Sequence, residues 1–561
     1  MVQRVRPGDA RPSLPLELAL NAFLSGVIAS LKSRRSGRPD YVILAAYTAV
    51  IAYVACFHEP WRDEVRALSL ATESGSLLGI FPRLRNEGHP GLWYVLLYLA
   101  YAVFRTSLVL KFVAGAVAVA SAAVFLFFSP FPRWQKALFL AGAFPLFEYS
   151  VMARNYGIGM LLMFVFCAVY PLRFRRPILV GGVVFLLAQT QAYWLLTAFS
   201  ISVSLGVEFL WRRKDASTER APGPRVLAGF ALMALGGVLS VLQLRTDSTS
   251  TIRRPDEISF TDIGAWMKPL VHPMELFGQG FAVDFPPFFV KSAGIDVRFV
   301  VSLLLLGLVL SLLRRPFVFV LFAIAWLSMG AFSSLVYPAA LRHQGVVFMV
   351  LVASLWLERL GQVGSNAPAS RDARPPRWSD AYRGRIDVAQ QVALALLFLP
   401  QIAHAKQMIA LDVRTELTSA KRLGAILQEP ELRDAIVIGE PDYVLETLPY
   451  YAPNSMYLPR EVRFRRFASS TRKNRDPLTL KELLASARDV QRTYHRPVVI
   501  AMRWGLNPRG AYLSSGYTFY YTHSMYEDFM AATRHITRLE TPKEAPAREN
   551  YDVYVLNPKG R

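Results

Sequence analysis

The chain has almost no cysteine, with only Cys56 and Cys167 among its 561 residues, each inside an apolar run. Two isolated cysteines exclude a disulfide framework and a thiolate metal site, so we interpret both as packing residues. Charged residues are also scarce, at 19%, whereas 53% of the residues are hydrophobic. Soluble domains rarely have that composition, and the mean hydropathy of +0.28 indicates a membrane protein.

Acidic residues are outnumbered, with 41 Asp and Glu against 63 Lys and Arg, which gives a net charge of +22. In a soluble protein this excess would suggest nucleic acid, but the chain has no basic module with interleaved aromatic residues. Basic loops that face an anionic inner leaflet explain the excess better. We therefore expect membrane lipid, and no nucleic acid, among the partners.

The apolar residues are gathered into segments of about the length that crosses a bilayer. They predict a mainly α, polytopic membrane protein with about twelve spans, within a range of 11–13. The predicted spans are 41–57, 91–104, 108–128, 137–152, 155–171, 177–190, 192–211, 225–243, 297–313, 316–335, 343–357 and 387–404.

Clusters of Arg and Lys between these spans set the orientation, because positive loops stay in the cytoplasm. Such clusters occur at 173–176, 212–214 and 314–315, and in the long loop 358–386. The same rule places three regions outside, which predicts a multi-pass inner (plasma) membrane protein with its catalytic loops on the periplasmic or extracytoplasmic side. Besides the first external loop 58–90, the long loop 245–296 and the C-terminal region 406–561, the rule also places the short turns 188–192 and 336–342 outside.

One stretch does not fit this alternation. Between the outer loop that ends at residue 90 and the inner loop at 172, an odd number of crossings is needed, yet four apolar segments are present. The segment 137–155 contains Pro145, Glu148 and Arg154. We therefore predict a half-helix or re-entrant element there, which is tolerated where protein or a water-filled cavity covers it.

Three regions follow from this organisation. Residues 1–40 are a basic cytoplasmic segment without an evident cleavable signal peptide, in which 14–31 is interpreted as an interfacial helix or, alternatively, a first span. Residues 41–405 form the membrane domain. Residues 406–561 form a small extracytoplasmic α/β domain, because short apolar runs alternate there with helical patterns. These runs are 435–439, 497–502 and 551–556, with a helix predicted at 480–494.

The α/β domain has no Gly-rich phosphate loop, but two of its segments are rich in Tyr, 441–451 and 515–526. Surface Tyr side chains stack on sugar rings, and they also pack against neighbouring domains. Both interpretations remain open for these segments.

The first external loop contains the residues best suited to chemistry. Asp63 and Glu64 lie just beyond the end of a span, where ionisable residues are costly and usually functional. A carboxylate in this place can act as general base towards an acceptor hydroxyl, or orient it. Four arginines of the loop match the geometry of a phosphate leaving group, namely Arg62, Arg66, Arg83 and Arg85. The alternative is that the two carboxylates only pair with neighbouring arginines.

The acidic pair is followed about 25 residues later by Gly88-His89-Pro90-Gly91-Leu92-Trp93-Tyr94 at the start of the second span. This pattern resembles the GT-C superfamily of polyprenyl-phosphate-sugar glycosyltransferases, and most of all the bacterial relatives of protein O-mannosyltransferases and of the lipid A aminoarabinose transferase. Gly91 stands where those proteins commonly have a second proline. Weaker likenesses, within a resemblance that covers roughly residues 40–360, are Ala153-Arg154-Asn155-Tyr156 and Leu341-Arg342-His343-Gln344.

The resemblance implies a GT-C type membrane enzyme that transfers a hexosyl or pentosyl unit with inversion. The donor would be a sugar on undecaprenyl phosphate or a similar polyprenyl phosphate, and the acceptor an envelope glycolipid, glycan or protein. It implies a catalytic role for Asp63, with Glu64 as its partner. Substrate binding would fall to His89, Arg62, Arg83, Arg85, Arg154, Tyr156, Arg342 and His343. No residue is assigned to a metal, although a divalent cation shared by a carboxylate and the donor phosphate stays open.

Two other functions remain as alternatives. A ligase that uses a diphosphate-linked glycan would depend on Arg and His of a late external loop such as 245–296, which we also expect to cover the acceptor. That loop has no His-x-x-x-His or Asp-x-Asp metal pattern. A lipid-linked sugar transporter is less favoured, because the two halves show no internal repeat and transport needs no external α/β domain.

Overall fold

The computed structural model describes residues 37–212, 223–250, 259, 261–282, 296–363, 380–514, 516–542 and 549–558. The helix predicted at 14–31, much of the loop 245–296 and most of the loop 358–386 lie outside the described residues.

The described residues between Arg38 and Arg414 are mainly helical. The helices are α1 (Arg38–Phe57), α2 (Arg62–Glu73), α3 (Ile80–Arg83), α4 (Leu92–Phe104), α5 (Val109–Phe128), α6 (Arg133–Leu140), α7 (Tyr156–Val169), α8 (Pro177–Ala188), α9 (Ala192–Arg212), α10 (Gly223–Leu244), α11 (Ile263–Val271), α12 (Pro273–Phe277), α13 (Val297–Ser311), α14 (Pro316–Leu335), α15 (Leu341–Val363) and α16 (Asp380–Arg414).

Within the described part of the chain, eight helices are long and apolar enough to cross a membrane, namely α1, α5, α9, α10, α13, α14, α15 and α16. By length and composition they confirm a multi-pass membrane protein. Three further apolar helices, α4, α7 and α8, have only 10–17 residues with their short extensions. Helices that meet the length of a full span are therefore fewer than the twelve expected, because several predicted segments form shorter or broken helices.

The segment 137–155 is broken, as predicted. Helix α6 ends at Leu140, a π-helical turn covers Phe144–Glu148, and the backbone is irregular up to the start of α7. From 142 to 155 every residue is buried except Leu146 and Arg154, so protein covers the non-helical backbone. Three apolar helices remain between residues 90 and 172, namely α4, α5 and α7, which is the odd number that the loop charges require.

Small residues allow the membrane helices to approach closely. A Cβ atom on Gly181 of α8 would lie 2.4 Å from the carbonyl oxygen of Gly229 of α10. A Cβ atom on Gly229 would in turn lie 2.5 Å from the carbonyl oxygen of Pro177. The two backbones are thus in direct contact, as is common where helices pack in a lipid environment.

In the described residues of the C-terminal part there are two sheets and three α-helices, α17 (Ala420–Ile426), α18 (Leu480–Tyr494) and α19 (His523–Ala532). The strands are β1 (Ile436–Glu440), β2 (Met456–Leu458), β3 (Arg463–Phe464), β4 (Leu478–Thr479), β5 (Val498–Met502), β6 (Ala511–Ser514), β7 (Thr518–Tyr521), β8 (Thr533–Leu539) and β9 (Tyr551–Leu556). The predicted strands correspond to β1, β5 and β9, and the predicted helix is α18. Helix α16 continues through the boundary predicted at 405/406, so this part begins later than expected.

The larger sheet has the strand order β3-β2-β1-β5-β9-β8, in which β2, β1 and β5 are parallel. Val437 and Val499 contribute to the core on one face, and Ile438 and Ile500 to the core on the other. Both faces are covered, which explains why β1 and β5 are continuous apolar runs.

The carboxyl edge of the parallel strands lies on the loop 58–90 between α1 and α4. Glu446, which follows β1, forms an ion pair with Arg66, and the Tyr451 hydroxyl donates a hydrogen bond to the Pro60 carbonyl at 3.0 Å. Glu549, which precedes β9, accepts the backbone N–H of Arg62 at 2.9 Å. The sheet therefore holds the loop on which the candidate carboxylates lie.

Candidate active site

The loop 58–90 contains helix α2, which packs on α4 of the membrane part. The Glu64 side chain accepts the N–H of Trp61 at 3.2 Å, so it caps the first turn of this helix. Val65, Leu68 and Trp93 are buried in one apolar cluster that joins α2 to α4. Packing of α2 on α4 leaves Asp63 beside the irregular backbone that precedes α7.

Asp63 lies among three arginines. It forms an ion pair with Arg154, and its carboxylate oxygens lie 3.5 Å from Arg342 Nη2 and 3.5 Å from Arg62 Nε. Burial alone would raise the pKa of Asp63, but Arg154, Arg62 and Arg342 outweigh it and hold that pKa well below its usual range. Three guanidiniums against one carboxylate leave a local charge of +2, and Asp63 keeps a quarter of its side chain exposed. The cluster is suited to bind an anion.

Aromatic side chains position the arginines. The Arg154 guanidinium lies 5.8 Å from the ring centroid of Tyr156, and that of Arg342 lies 5.3 Å from Trp61. The Tyr149 hydroxyl donates to the Arg342 carbonyl at 2.6 Å and its ring stacks on Tyr156. These contacts restrict the side chains that face Asp63.

The two candidate histidines both lie close to Arg154 and Arg342 of this cluster. Burial, followed by the positive charge of Arg154, lowers the pKa of His89 to about 3, so His89 is neutral at pH 7. Its Nδ1 is buried, with no hydrogen-bond partner among the described residues. The ring of His343 packs 5.6 Å from that of Tyr156, and its Nδ1 accepts the Ala340 N–H at 3.1 Å. His89 is therefore the candidate histidine with an unpartnered, buried ring nitrogen among the described residues.

A buried charged chain, made of Asp412, His58 and Glu64, supports the loop. Nδ1 of His58 lies 3.0 Å from Asp412, and Nε2 lies 3.1 Å from both oxygens of Glu64. The three side chains are at most 1% exposed. Burial by itself lowers the pKa of His58, but the two carboxylates outweigh it and raise that pKa to about 10. His58 is therefore an imidazolium that donates in both directions.

Glu64 connects His58 to the backbone beside the arginine cluster. Besides His58 and Trp61 it accepts the backbone N–H of Ala153 at 2.5 Å. Glu64 and Ala153 are the direct neighbours of Asp63 and Arg154, so one carboxylate fixes the distance between the two halves of the ion pair. With no exposed surface, Glu64 cannot reach a substrate from this position.

Arg83 and Arg85 do not join the Asp63 cluster. Arg83 Nη1 lies 3.7 Å from Glu73, and Arg85 Nε lies 4.0 Å from Asp247. Arg85 instead lines, together with Arg245, a mainly apolar cavity of about 640 Å³ between α4, α8 and α10. Other lining residues include Phe81, Gly91, Leu92, Val95, Phe185, Gln189, Leu239, Leu242 and Gln243.

Sequence reasoning missed His58 and Asp412. His58 directly follows α1. The argument that ionisable residues at the end of a span are usually functional therefore applied to His58 as well as to Asp63. Asp412 lies near the end of α16, beyond the span predicted at 387–404, and nothing local links it to the first loop. Within the described ranges, no three His, Cys, Asp or Glu residues are arranged to hold a metal ion.

Comparisons with known proteins leave the family of this chain open. No protein-family model matches it, and no curated protein is significantly similar to it.

Proposed function

We propose that this protein is a membrane glycosyltransferase that moves a sugar from a polyprenyl-phosphate donor to an envelope glycolipid, glycan or protein. The observation that carries the proposal is the ionised Asp63 held among Arg154, Arg342 and Arg62 beside the neutral His89. Transfer from a phosphate donor needs a carboxylate that takes the proton of the acceptor hydroxyl and cations that stabilise the leaving phosphate. Asp63 and the three arginines supply these groups, and the neutral imidazole of His89 lies beside them.

The low pKa of Asp63 has a mechanistic consequence. With its arginines in place, Asp63 is too weak a base to take a proton from a hydroxyl. The donor phosphate binds Arg154 and Arg342, replaces Asp63 as their partner, and lets the pKa of Asp63 rise. Asp63 then accepts the proton of the acceptor hydroxyl while that oxygen attacks the anomeric carbon. The bond from carbon to phosphate oxygen breaks, and the polyprenyl phosphate leaves with the electron pair, stabilised by the arginines.

The apolar cavity supports a lipid-linked donor. Gly91 lines its wall only two residues after His89, and we propose that a chain in the cavity extends its phosphate towards the arginine cluster. Arg85 and Arg245 add two more cations at this cavity. A volume of about 640 Å³ lies within the range of ~300–1,000 Å³ that is typical of ligand sites. We assign it to the isoprenoid chain nearest the phosphate.

In this proposal Glu64 is a positioning residue and not a second base. Its oxygens are occupied by His58, Trp61 and Ala153. We further propose that the site faces the extracytoplasmic side of the inner membrane, because the basic loops lie at the other ends of the helices.

Asp63→Asn tests the proposal. The variant keeps the shape of the side chain but removes the base, so we expect transfer from a labelled polyprenyl-phosphate sugar to fall by about 10²–10⁴-fold. The matched control is Asp528→Asn, an exposed carboxylate on α19 away from both proposed sites, which should retain wild-type turnover. Wild-type turnover by purified, folded Asp63→Asn would refute the mechanism.

The ligase alternative can be tested at Arg245, an arginine of the loop 245–296 that lines the apolar cavity. If Arg245→Ala abolished product formation and Asp63→Asn did not, a diphosphate-linked donor would fit better. Flux of a lipid-linked sugar into the opposite leaflet of proteoliposomes, without product formation, would indicate a transporter.

A further inference from the structure

The C-terminal part has a large basic groove on the side away from Asp63. It has a volume of about 1,100 Å³ and lies where α18 ends and β5 begins, at the amino edge of the parallel strands. Four arginines and a histidine line it, namely Arg488, Arg492, Arg496, Arg534 and His495, against two carboxylates, Glu431 and Asp489, so arginine is in excess. We call this feature the distal groove.

Only part of this positive charge is compensated within the protein. Arg492 pairs with Asp489 at 2.6 Å, and Arg496 donates to the backbone carbonyl of Asp434 at 2.5 Å. For the exposed guanidiniums of Arg488 and Arg534, no ion pair or hydrogen bond exists among the described residues. Like charges that converge on a concave surface repel one another unless an anion lies between them.

The chemistry of the lining defines the class of ligand. Arginine matches phosphate and carboxylate groups with two parallel hydrogen bonds. Gln491 and Asn557 add amide groups that suit hydroxyls. The volume exceeds that of a typical small-molecule pocket, so it suits a segment of a polymer.

The position of the groove excludes the bilayer that holds the helices. The carboxyl edge of β1 contacts the loop 58–90, and the groove lies at the opposite edge. A five-residue strand spans about 17 Å at ~3.3 Å per residue, so lipid headgroups near the loop cannot reach the groove. A ligand that contacts both the groove and Asp63 must be an extended molecule of several units.

We propose that the distal groove binds a phosphorylated or otherwise acidic oligosaccharide, the anionic part of the acceptor. The identification as acceptor rests on the proposed function, whereas binding itself does not. Arg488 and Arg534 are the residues that discriminate the anionic glycan from a neutral one.

The test is a binding assay on the full chain in detergent. The probe is a phosphorylated mannan oligosaccharide, compared with the same oligosaccharide after enzymatic removal of phosphate. We expect the double variant Arg488→Glu, Arg534→Glu to bind the phosphorylated probe at least tenfold more weakly, and added salt to weaken wild-type binding. The matched control, Lys481→Glu with Arg509→Glu, reverses two exposed charges elsewhere in this part and should bind like wild type.

Three outcomes would overturn the proposal: unchanged binding by the groove variant, equal binding of the dephosphorylated probe, or equally tight binding of a single-stranded oligonucleotide of the same charge. Thermal unfolding of each variant shows whether it is folded. Asp63→Asn should bind the probe like wild type, so failure of the groove proposal and failure of the transfer proposal are seen separately.

Discussion

Replacement of His58 by Gln tests how the first loop is held. In the native protein His58 is the cation between Asp412 and Glu64, and all three side chains are excluded from solvent. Glutamine retains one donor but no charge. Two buried carboxylates would then lose the cation between them, while Lys111, which donates to the backbone carbonyl of residue 58, would remain as a nearby positive charge.

We expect a large loss of stability because these ion pairs are buried. Removal of one partner from a buried ion pair costs about 3–5 kcal/mol, since the remaining charge stays desolvated. The additional substitution Asp412→Asn removes one of the two carboxylates. The double variant should therefore be more stable than His58→Gln alone. This result would show that residues 58 and 412 are coupled through their charges, because a loss of packing would make the double variant less stable.

The stability of the wild-type protein should also depend on pH. The pKa of His58 is raised from 6.5 in the unfolded chain to about 10 in the folded protein, so its contribution is complete below pH 6.5 and is lost as the pH rises through 10. The change is measured by thermal unfolding in detergent, followed by tryptophan fluorescence. His58→Gln should lack this slope.

The control is His523→Gln, since His523 is 63% exposed and its pair with Glu527 lies on the surface. Surface pairs contribute only about 0–1 kcal/mol. The free energy of unfolding of His58→Gln could lie within about 1 kcal/mol of the wild-type value, or the variant could keep the pH dependence of its stability. Either result would show that His58 is not the cation between Asp412 and Glu64.

Two further substitutions test packing and a buried carboxyl. A Cβ atom on Gly159 would lie 2.0 Å from the Trp194 ring, so Gly159→Ala should destabilise the membrane part by about 1–3 kcal/mol in thermal unfolding, whereas Gly115→Ala, with open space around it, should not. Burial raises the pKa of Glu440 from 4.5 to about 7, so stability should fall as the pH rises through this window. Glu440→Gln should abolish that dependence; a slope that persisted in the variant would assign the titration to another group.

The fold was predictable where the sequence pattern is local. Loop charge located the break at 137–155 through a parity argument, without any conformational signal apart from Pro145 and two charges. The continuous apolar runs of β1 and β5 predicted their burial, and the period of the helix at 480–494 predicted α18 to the residue. The number of full-length spans was harder to predict, because a segment such as 91–104 is predicted as a span although its helix α4 has only 13 residues.

The arginine cluster was predictable in its members but not in its contacts. Asp63, Arg154 and Arg342 each lie at the end of an apolar segment on the same predicted side, and the structure brings them together. Arg83 and Arg85 share the loop with Asp63 but face Glu73 and Asp247. Which arginine of the loop contacts the carboxylate depends on how α2 packs on α4, and this packing cannot be predicted from composition.

The contacts of Asp63 also impose an order on the reaction. Without an anion at Arg154 and Arg342, the pKa of Asp63 is held far below neutrality, and an acceptor hydroxyl that arrives first meets a carboxylate unable to take its proton. Donor binding removes that restraint, so productive binding begins with the donor. A dead-end acceptor analogue should then inhibit competitively against the acceptor and uncompetitively against the donor. Competitive inhibition against the donor would mean that the acceptor binds the free enzyme, and Asp63 would have to be activated by another route.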